Sequence, residues 1–199
     1  MNELITERLT ATTVADYVTS PFSIHCNRFV SKEEQDPITE YQKLLFQRGH
    51  DHENQTVREK FPEMAEISFD SPENGFKSTL DAMVSGTDIL HGMPIYYLPE
   101  GIFGVTDLLE KSDSAGSVFG NYHYTVKEVK LAKNIKNNHL IQGAFYNYLL
   151  GQIQNFTPRT FAMINGEGEE SIHEYSKYES VLLDSIEGTR KILQGEPVS

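Results

Sequence analysis

Cysteine is nearly absent from this chain of 199 residues. Its single cysteine, Cys26, excludes an internal disulfide, a zinc site built from several cysteines and a four-cysteine iron–sulfur cluster within the chain. Long apolar runs are also missing. No stretch approaches the roughly 18 residues of a membrane-spanning helix, and residues 1–13 lack the apolar core of a secretory signal. We therefore expect a cytoplasmic protein in a reducing setting, without a membrane partner.

Positive charge is scarce as well. The chain carries 17 Lys and Arg against 29 Asp and Glu, a net charge of −12, which argues against a protein that coats nucleic acid by neutralising phosphates. The deficit is uneven, because residues 129–166 contain no acidic residue and include Lys130, Lys133, Lys136 and Arg159. This segment is either a chance cluster on a solvated face or a surface that faces phosphate.

The remaining composition predicts one packed domain spanning residues 1–199. Hydrophobic residues make up 38% of the chain and include 11 Phe and 10 Tyr, which excludes a disordered polar chain. The pattern predicts a helical part over about 1–88, a sheet with a helix over about 89–165, and a strand and helix over 166–199. This order of elements predicts an α/β fold, a central mixed β-sheet flanked by helices.

The boundaries of these elements follow from apolar periodicity and from Pro and Gly. Pro21 is expected to end a short first helix, and Gly49 to mark a break or a close approach within a long one. Predicted helices cover residues 37–61, 77–84, 137–154 and 177–193; predicted strands cover 89–98, 102–109, 122–131, 160–164 and 171–175.

Three charged residues fall on two predicted strands. Glu128 and Lys130 point to one face because strand side chains alternate, and Asp107 lies among apolar residues late in the preceding strand. Such groups are costly to bury unless they are paired or used. A Glu-x-Lys ion pair or a strand-end aspartate would be the structural interpretation. A shared Mg²⁺ or Mn²⁺ would be the functional one, since these ions prefer oxygen ligands.

Two predicted helices carry further polar groups. Gly49, His52 and Glu53 share one helical face, on which His52 would add a metal ligand and Glu53 would orient it. Gln142 and Tyr146, spaced four apart, form a polar-aromatic edge on the later helix. Taken alone, each of these is also typical of an ordinary helix surface.

Read in chain order, these residues resemble the RecB-like branch of the PD-(D/E)XK nuclease superfamily. That family has a helical Gly-x-x-His-Glu, then Gly-x-x-Asp, then (Asp/Glu)-x-Lys, then Gln-x-x-x-Tyr. The chain has all four motifs in this order within residues 10–165, at Gly49–Glu53, Gly104–Asp107, Glu128–Lys130 and Gln142–Tyr146.

The resemblance implies a restriction-endonuclease-like core of the order α-β-β-β-α-β and metal-dependent hydrolysis of DNA. Asp107, Glu128, the Val129 carbonyl and His52 would bind Mg²⁺ or Mn²⁺, with Glu53 in support. Lys130 would position or deprotonate the attacking water, or offset charge in the transition state. The iron–sulfur cluster of some relatives is not expected here, because it needs four cysteines.

The resemblance also implies the substrate and partners. Gln142, Tyr146, Lys133 and Lys136 would contact DNA, presented as ends or single strands to an exonuclease of repair, recombination or defence. A helicase or another repair protein would be a partner. Two alternatives stay open: a non-catalytic nucleic-acid- or protein-binding module of the same fold, favoured by the −12 charge, and a hydrolase of smaller phosphodiesters.

Overall fold

A computed structural model describes residues 8–66 and 69–198, without the side chains of His50, Glu53 and Asn54. Helices begin where short polar side chains accept the first backbone N–H groups. Thr10 accepts from the N–H of Thr13, Thr39 from Gln42 and Ser71 from Asn74. The helices are α1 (Ala11–Thr19), α2 (Pro21–Phe29), α3 (Glu40–Lys60), α4 (Pro72–Val84), α5 (Asn137–Gln154) and α6 (Glu179–Leu193).

Six strands form one mixed sheet whose spatial order follows the chain. They are β1 (Ala65–Glu66), β2 (Ile89–Tyr97), β3 (Ile102–Ser112), β4 (His123–Val129), β5 (Thr160–Ile164) and β6 (Glu170–Glu174). Strands β2, β3 and β4 are an antiparallel meander; β1 is parallel to β2, β5 is parallel to β4, and β6 is antiparallel to β5. Because parallel neighbours need a crossover, α5 connects β4 to β5.

Two apolar clusters hold helices against the sheet. The larger cluster joins α1, α5 and α6 to the sheet and includes Phe145, Phe161 and Tyr124, each at most 1% exposed. The smaller one joins Val57 of α3 to residues of β3, β4 and β5: Leu108, Val129 and Ile164. These three alternate with residues of the larger cluster, so α3 covers the sheet face opposite α5.

The expectation of an α/β fold with a central mixed sheet flanked by helices is confirmed. The predicted bounds of α5 and β5 are those of the structure. No helix within the described residues has the length and apolar character needed to cross a membrane.

Several predicted bounds are wrong. Pro21 does not only end α1; it also begins α2, because proline lacks the N–H that the first turn of a helix leaves unpaired. Helix α4 begins at Pro72 for the same reason, five residues before its predicted start. Gly49 marks no break, since α3 is continuous, and no close approach is seen, since no described atom lies within 4 Å of a Cβ placed there. The two-residue strand β1 was not predicted.

Candidate active site

The site begins at a kink in the β2–β3 hairpin. The strands pair His91 with Leu108 and Met93 with Thr106, so Gly92 lies opposite Asp107. Gly92 has φ = 66°, a left-handed conformation that glycine adopts without a steric penalty. Leu90 and Met93 are three residues apart yet belong to the same buried cluster, which regular alternation forbids. The kink at Gly92, beside Asp107, therefore changes which face of the sheet the following side chains of β2 point to.

Asp107 and Glu128 are linked where the β3–β4 ladder ends. The last pair of that end of the ladder is Leu108 with Lys127, so the next position would set Asp107 opposite Glu128. The backbone N–H of Val129 donates to Oδ2 of Asp107 at 2.6 Å. The backbone N–H of Asp107 donates to Oε1 of Glu128 at 3.4 Å. Both carboxylates are thus oriented by backbone groups of the neighbouring strand.

Lys130 completes a charged cluster with the two carboxylates. Its Nζ lies 3.3 Å from Oε2 of Glu128, whose side chain is 2% exposed, while the lysine side chain is 21% exposed. The Lys130 N–H donates to the carbonyl of Ile164 at 2.8 Å and fixes the backbone just past β4. A carboxylate this buried needs a nearby cation, so removing the ammonium would be strongly unfavourable.

Helix α5 is held against the hairpin by a glycine–tyrosine contact. A Cβ built on Gly104 would overlap the ring of Tyr146, so only glycine lets this ring pack on β3. Gln142 lies one turn earlier on α5 and is half-buried. Two of the four motifs therefore meet in space: the glycine of the motif that ends in Asp107 and the tyrosine of the motif on α5.

His139 at the start of α5 is predicted to share the polar-aromatic edge of Gln142 and Tyr146, and it lies near Lys130. Burial, followed by the charges of Lys130 and Lys136, lowers the pKa of His139 below its ordinary value. Gly92 was not predicted as a site residue. The sequence signal for it is an isolated glycine within a predicted strand, which is typical of a local irregularity.

His52 lies on α3, and its Nε2 is 3.3 Å from Oγ1 of Thr56, one turn later. Val57, five residues after His52 and about 7.5 Å along the helix axis, packs in the cluster that includes Val129. Among the described side chains, His52 does not form a group of metal ligands with Asp107 and Glu128. The side chain of Glu53 lies outside the described residues.

The two lysines predicted to contact DNA are both exposed and lie beyond the cluster. Nζ of Lys133 is 2.7 Å from Oε1 of Glu167, in the acidic turn between β5 and β6. The N–H of Lys136 donates to Nδ1 of His139 at 3.3 Å, at the start of α5. Residues 129–166 contain no acid, but Lys133 in this segment forms an ion pair with Glu167, which directly follows it.

The donor set at Asp107 and Glu128 fits a hard divalent cation. Magnesium is commonly held by one or two carboxylates together with water and substrate phosphate, and this pair supplies carboxylate oxygens from adjacent strands. Among the side chains that the structure describes, no three His, Cys, Asp or Glu are grouped closely enough to hold a metal ion. The two carboxylates are therefore the core of the candidate site.

Comparison with known proteins adds no relative. No model of a known protein family matches the chain, and no curated protein is significantly similar to it in sequence. The assignment of the site therefore rests on its geometry and on the motifs that resemble RecB-like nucleases.

Proposed function

We propose that this protein is a Mg²⁺- or Mn²⁺-dependent DNA nuclease of the RecB-like PD-(D/E)XK type, acting as an exonuclease on ends or single strands. The observation that carries the proposal is the meeting of Asp107, Glu128 and Lys130 at one end of the β3–β4 ladder. The element order α4-β2-β3-β4-α5-β5 supports it, because it is the order that the resemblance implies.

The charged groups have separate roles in this proposal. Asp107 and Glu128 hold the cation, and the Val129 carbonyl and His52 are the further ligands that the resemblance implies. When bound, the cation lowers the pKa of a water molecule and offsets charge on the phosphoryl oxygens. The backbone N–H of Val129 orients the Asp107 carboxylate, so the ligand oxygen is in position before substrate arrives.

Lys130 acts on the reacting groups. Hydrolysis adds one water across a P–O bond, so the attacking oxygen loses a proton and the leaving oxygen gains one. The ammonium of Lys130, held beside Glu128, orients the attacking water and offsets the charge that grows on the phosphoryl oxygens. From α5, Gln142 and Tyr146 contact the DNA backbone.

A cleavage assay tests the proposal. Labelled single- and double-stranded DNA is incubated with wild type, Lys130→Met and Lys191→Met, in Mn²⁺ and in EDTA. Wild type should cut only with the metal, and Lys130→Met should cut about 10²–10³-fold more slowly. Lys191→Met is the matched control, because its ammonium pairs with exposed Glu187 on α6, and it should cut at nearly the wild-type rate.

Two results would reject the nuclease. One is the absence of metal-dependent cleavage of either DNA by folded wild type. The other is equal cleavage by wild type and Lys130→Met. Oligonucleotide binding without cleavage would instead support the non-catalytic module, and hydrolysis of small phosphodiesters alone would support the third alternative.

A further inference from the structure

An aromatic cavity lies at the turn end of the β2–β3 hairpin, and we call it the Tyr96–Phe103 pocket. It has a volume of about 280 Å³ and is lined by Arg8, Glu73, Phe76, Tyr96, Leu98 and Phe103, among others. Tyr96 and Phe103 are cross-strand partners, with ring centroids 6.1 Å apart and ring planes at 66°. This volume is at the small end for ligand sites and suits one ring system rather than a large cofactor.

Arg8, the positively charged residue of this pocket, is held in place by the chain segment before α1. Leu9, 2% exposed, donates its N–H to the carbonyl of Gly101 at 3.0 Å and accepts from the N–H of Phe103 at 2.9 Å. These bonds fix the neighbouring Arg8, whose guanidinium carbon lies 5.6 Å from the Tyr96 ring centroid and 5.7 Å from that of Phe103. The guanidinium is thus aligned with both rings.

We propose that the Tyr96–Phe103 pocket holds the base of an unpaired DNA nucleotide, an inference that rests on the proposed nuclease function. Every nucleobase has a π-face, so aromatic rings bind bases with little regard to sequence. Arg8 can hold the adjoining phosphate through paired N–H groups. Its present partner, Glu73, lies 3.0 Å away and is 67% exposed, and so exposed an ion pair contributes too little to exclude a phosphate.

The pocket lies further along the same strand as Asp107. Phe103 precedes Asp107 by four residues on β3, which is about 13 Å along the strand. Successive nucleotides of one strand in B-DNA are about 3.4 Å apart along the axis, so a few nucleotides span this distance.

Because the protein is negatively charged, stacking of a base on the pocket rings is an important source of affinity for DNA. At −12, the chain gains little affinity from its overall field for a polyanion. Affinity for a strand must then come from local contacts, and the pocket offers rings and one aligned guanidinium together. A tyrosine- or phenylalanine-bearing protein segment is the competing occupant; it would not need Arg8.

The test uses single-stranded oligonucleotides with 2-aminopurine at the terminal position, in EDTA so that no cleavage occurs. The fluorescence of this base falls when it stacks on an aromatic ring. Wild type should quench it saturably, whereas Phe103→Leu and Tyr96→Leu should weaken binding about tenfold and reduce the quenching. Arg8→Gln should weaken binding of 5′-phosphorylated oligonucleotides more than of 5′-hydroxyl ones.

Phe22→Leu is the matched control, because Phe22 is a 64% exposed aromatic on α2, outside the pocket; it should behave as wild type. Thermal unfolding confirms that each variant is folded. Absence of quenching by wild type, or equal quenching by Phe22→Leu and both pocket variants, would reject the proposal that the pocket binds a base. Saturable binding of a tyrosine-containing peptide without any quenching by oligonucleotide also overturns it.

Failure of the pocket and failure of the nuclease give different results. Metal-dependent cleavage with quenching that is unchanged in Phe103→Leu rejects the pocket and leaves the nuclease. Quenching that is lost in Phe103→Leu, without metal-dependent cleavage by wild type, supports the pocket and rejects the nuclease.

Discussion

Asp107 and Glu128 are linked by a hydrogen bond between neighbouring strands. The N–H of Val129, the residue after Glu128, donates to the Asp107 carboxylate at 2.6 Å, and the N–H of Asp107 donates to the Glu128 carboxylate at 3.4 Å. Where the backbone ladder stops, side-chain oxygens thus replace carbonyl oxygens as acceptors. The same bonds that close the end of the sheet also orient the two acids.

The contact between Gly104 and Tyr146 predicts a strong effect of one methyl group. Gly104→Ala should lower the free energy of unfolding by about 1–3 kcal/mol, because the new Cβ overlaps the Tyr146 ring. Gly49→Ala is the matched control. It has open space for its Cβ and should raise stability by up to about 1 kcal/mol, since alanine favours a helix.

Urea denaturation measures both changes. The cost of Gly104→Ala should shrink in a Tyr146→Ala background, because residues in contact are energetically coupled. Equal effects of the two glycine substitutions, or an undiminished cost of Gly104→Ala without the ring, would contradict the packing described here.

The kink at Gly92 predicts a backbone effect without a steric clash. No atom lies within 4 Å of a Cβ at Gly92, yet its φ is 66°. Gly92→Ala should therefore lower the free energy of unfolding by about 1–2 kcal/mol, the cost of a left-handed alanine. Gly92→Asn should cost less, because asparagine tolerates this region.

Denaturation of the two Gly92 variants beside wild type tests this difference. Because Gly92 lies opposite Asp107, metal-dependent cleavage should fall with stability in the alanine variant. An alanine variant as stable as wild type would show that the strand does not require the left-handed residue.

His173 predicts loss of stability in mild acid. Its ring stacks on Phe161 with centroids 5.6 Å apart, and Nε2 lies 2.9 Å from Oγ of Ser171. Burial, then the charge of Lys177, lowers the pKa of His173. The folded protein therefore favours the neutral ring. The stabilising contribution is complete above the unfolded pKa of about 6.5 and declines as the pH falls from there towards the folded pKa.

Urea denaturation at about pH 7.5 and about pH 5 measures this contribution. Wild type should lose more stability between the two pH values than His173→Gln, in which the titrating ring is absent. The same loss in both proteins would mean that other groups account for the pH dependence.

Much of the fold is predictable because local signals and packing agree. Helix α5 is rich in buried apolar residues and is followed by Asn155 in a left-handed cap, and β5 is a short apolar strand that the sheet buries. Helix α2 was missed because proline both ends and begins helices. The start of α4 was missed for the same reason, whereas its predicted end at Val84 is that of the structure.

The site was predictable in composition and less so in arrangement. Alternation along a strand places Glu128 and Lys130 on one face, and the structure pairs them. The hydrogen bonds of Asp107 with Glu128 and Val129 depend on strand register, which a single sequence does not encode locally. The pairing of Lys133 with Glu167 depends on how two loops meet and could not be inferred from the absence of acids in residues 129–166.

In the proposed nuclease, Asp107 and Glu128 together bind a divalent cation. Calorimetric titration with Mn²⁺ tests it most directly, on wild type, Asp107→Asn, Glu128→Gln and the control Asp113→Asn, which changes an exposed loop aspartate. The amide of Asp107→Asn can still accept from the Val129 N–H, so the fold is retained while ligand charge is lost. We predict saturable binding by wild type and Asp113→Asn and at least tenfold weaker binding by the other two. Equal binding by all four proteins, or no binding by wild type, would show that Asp107 and Glu128 do not form a cation site.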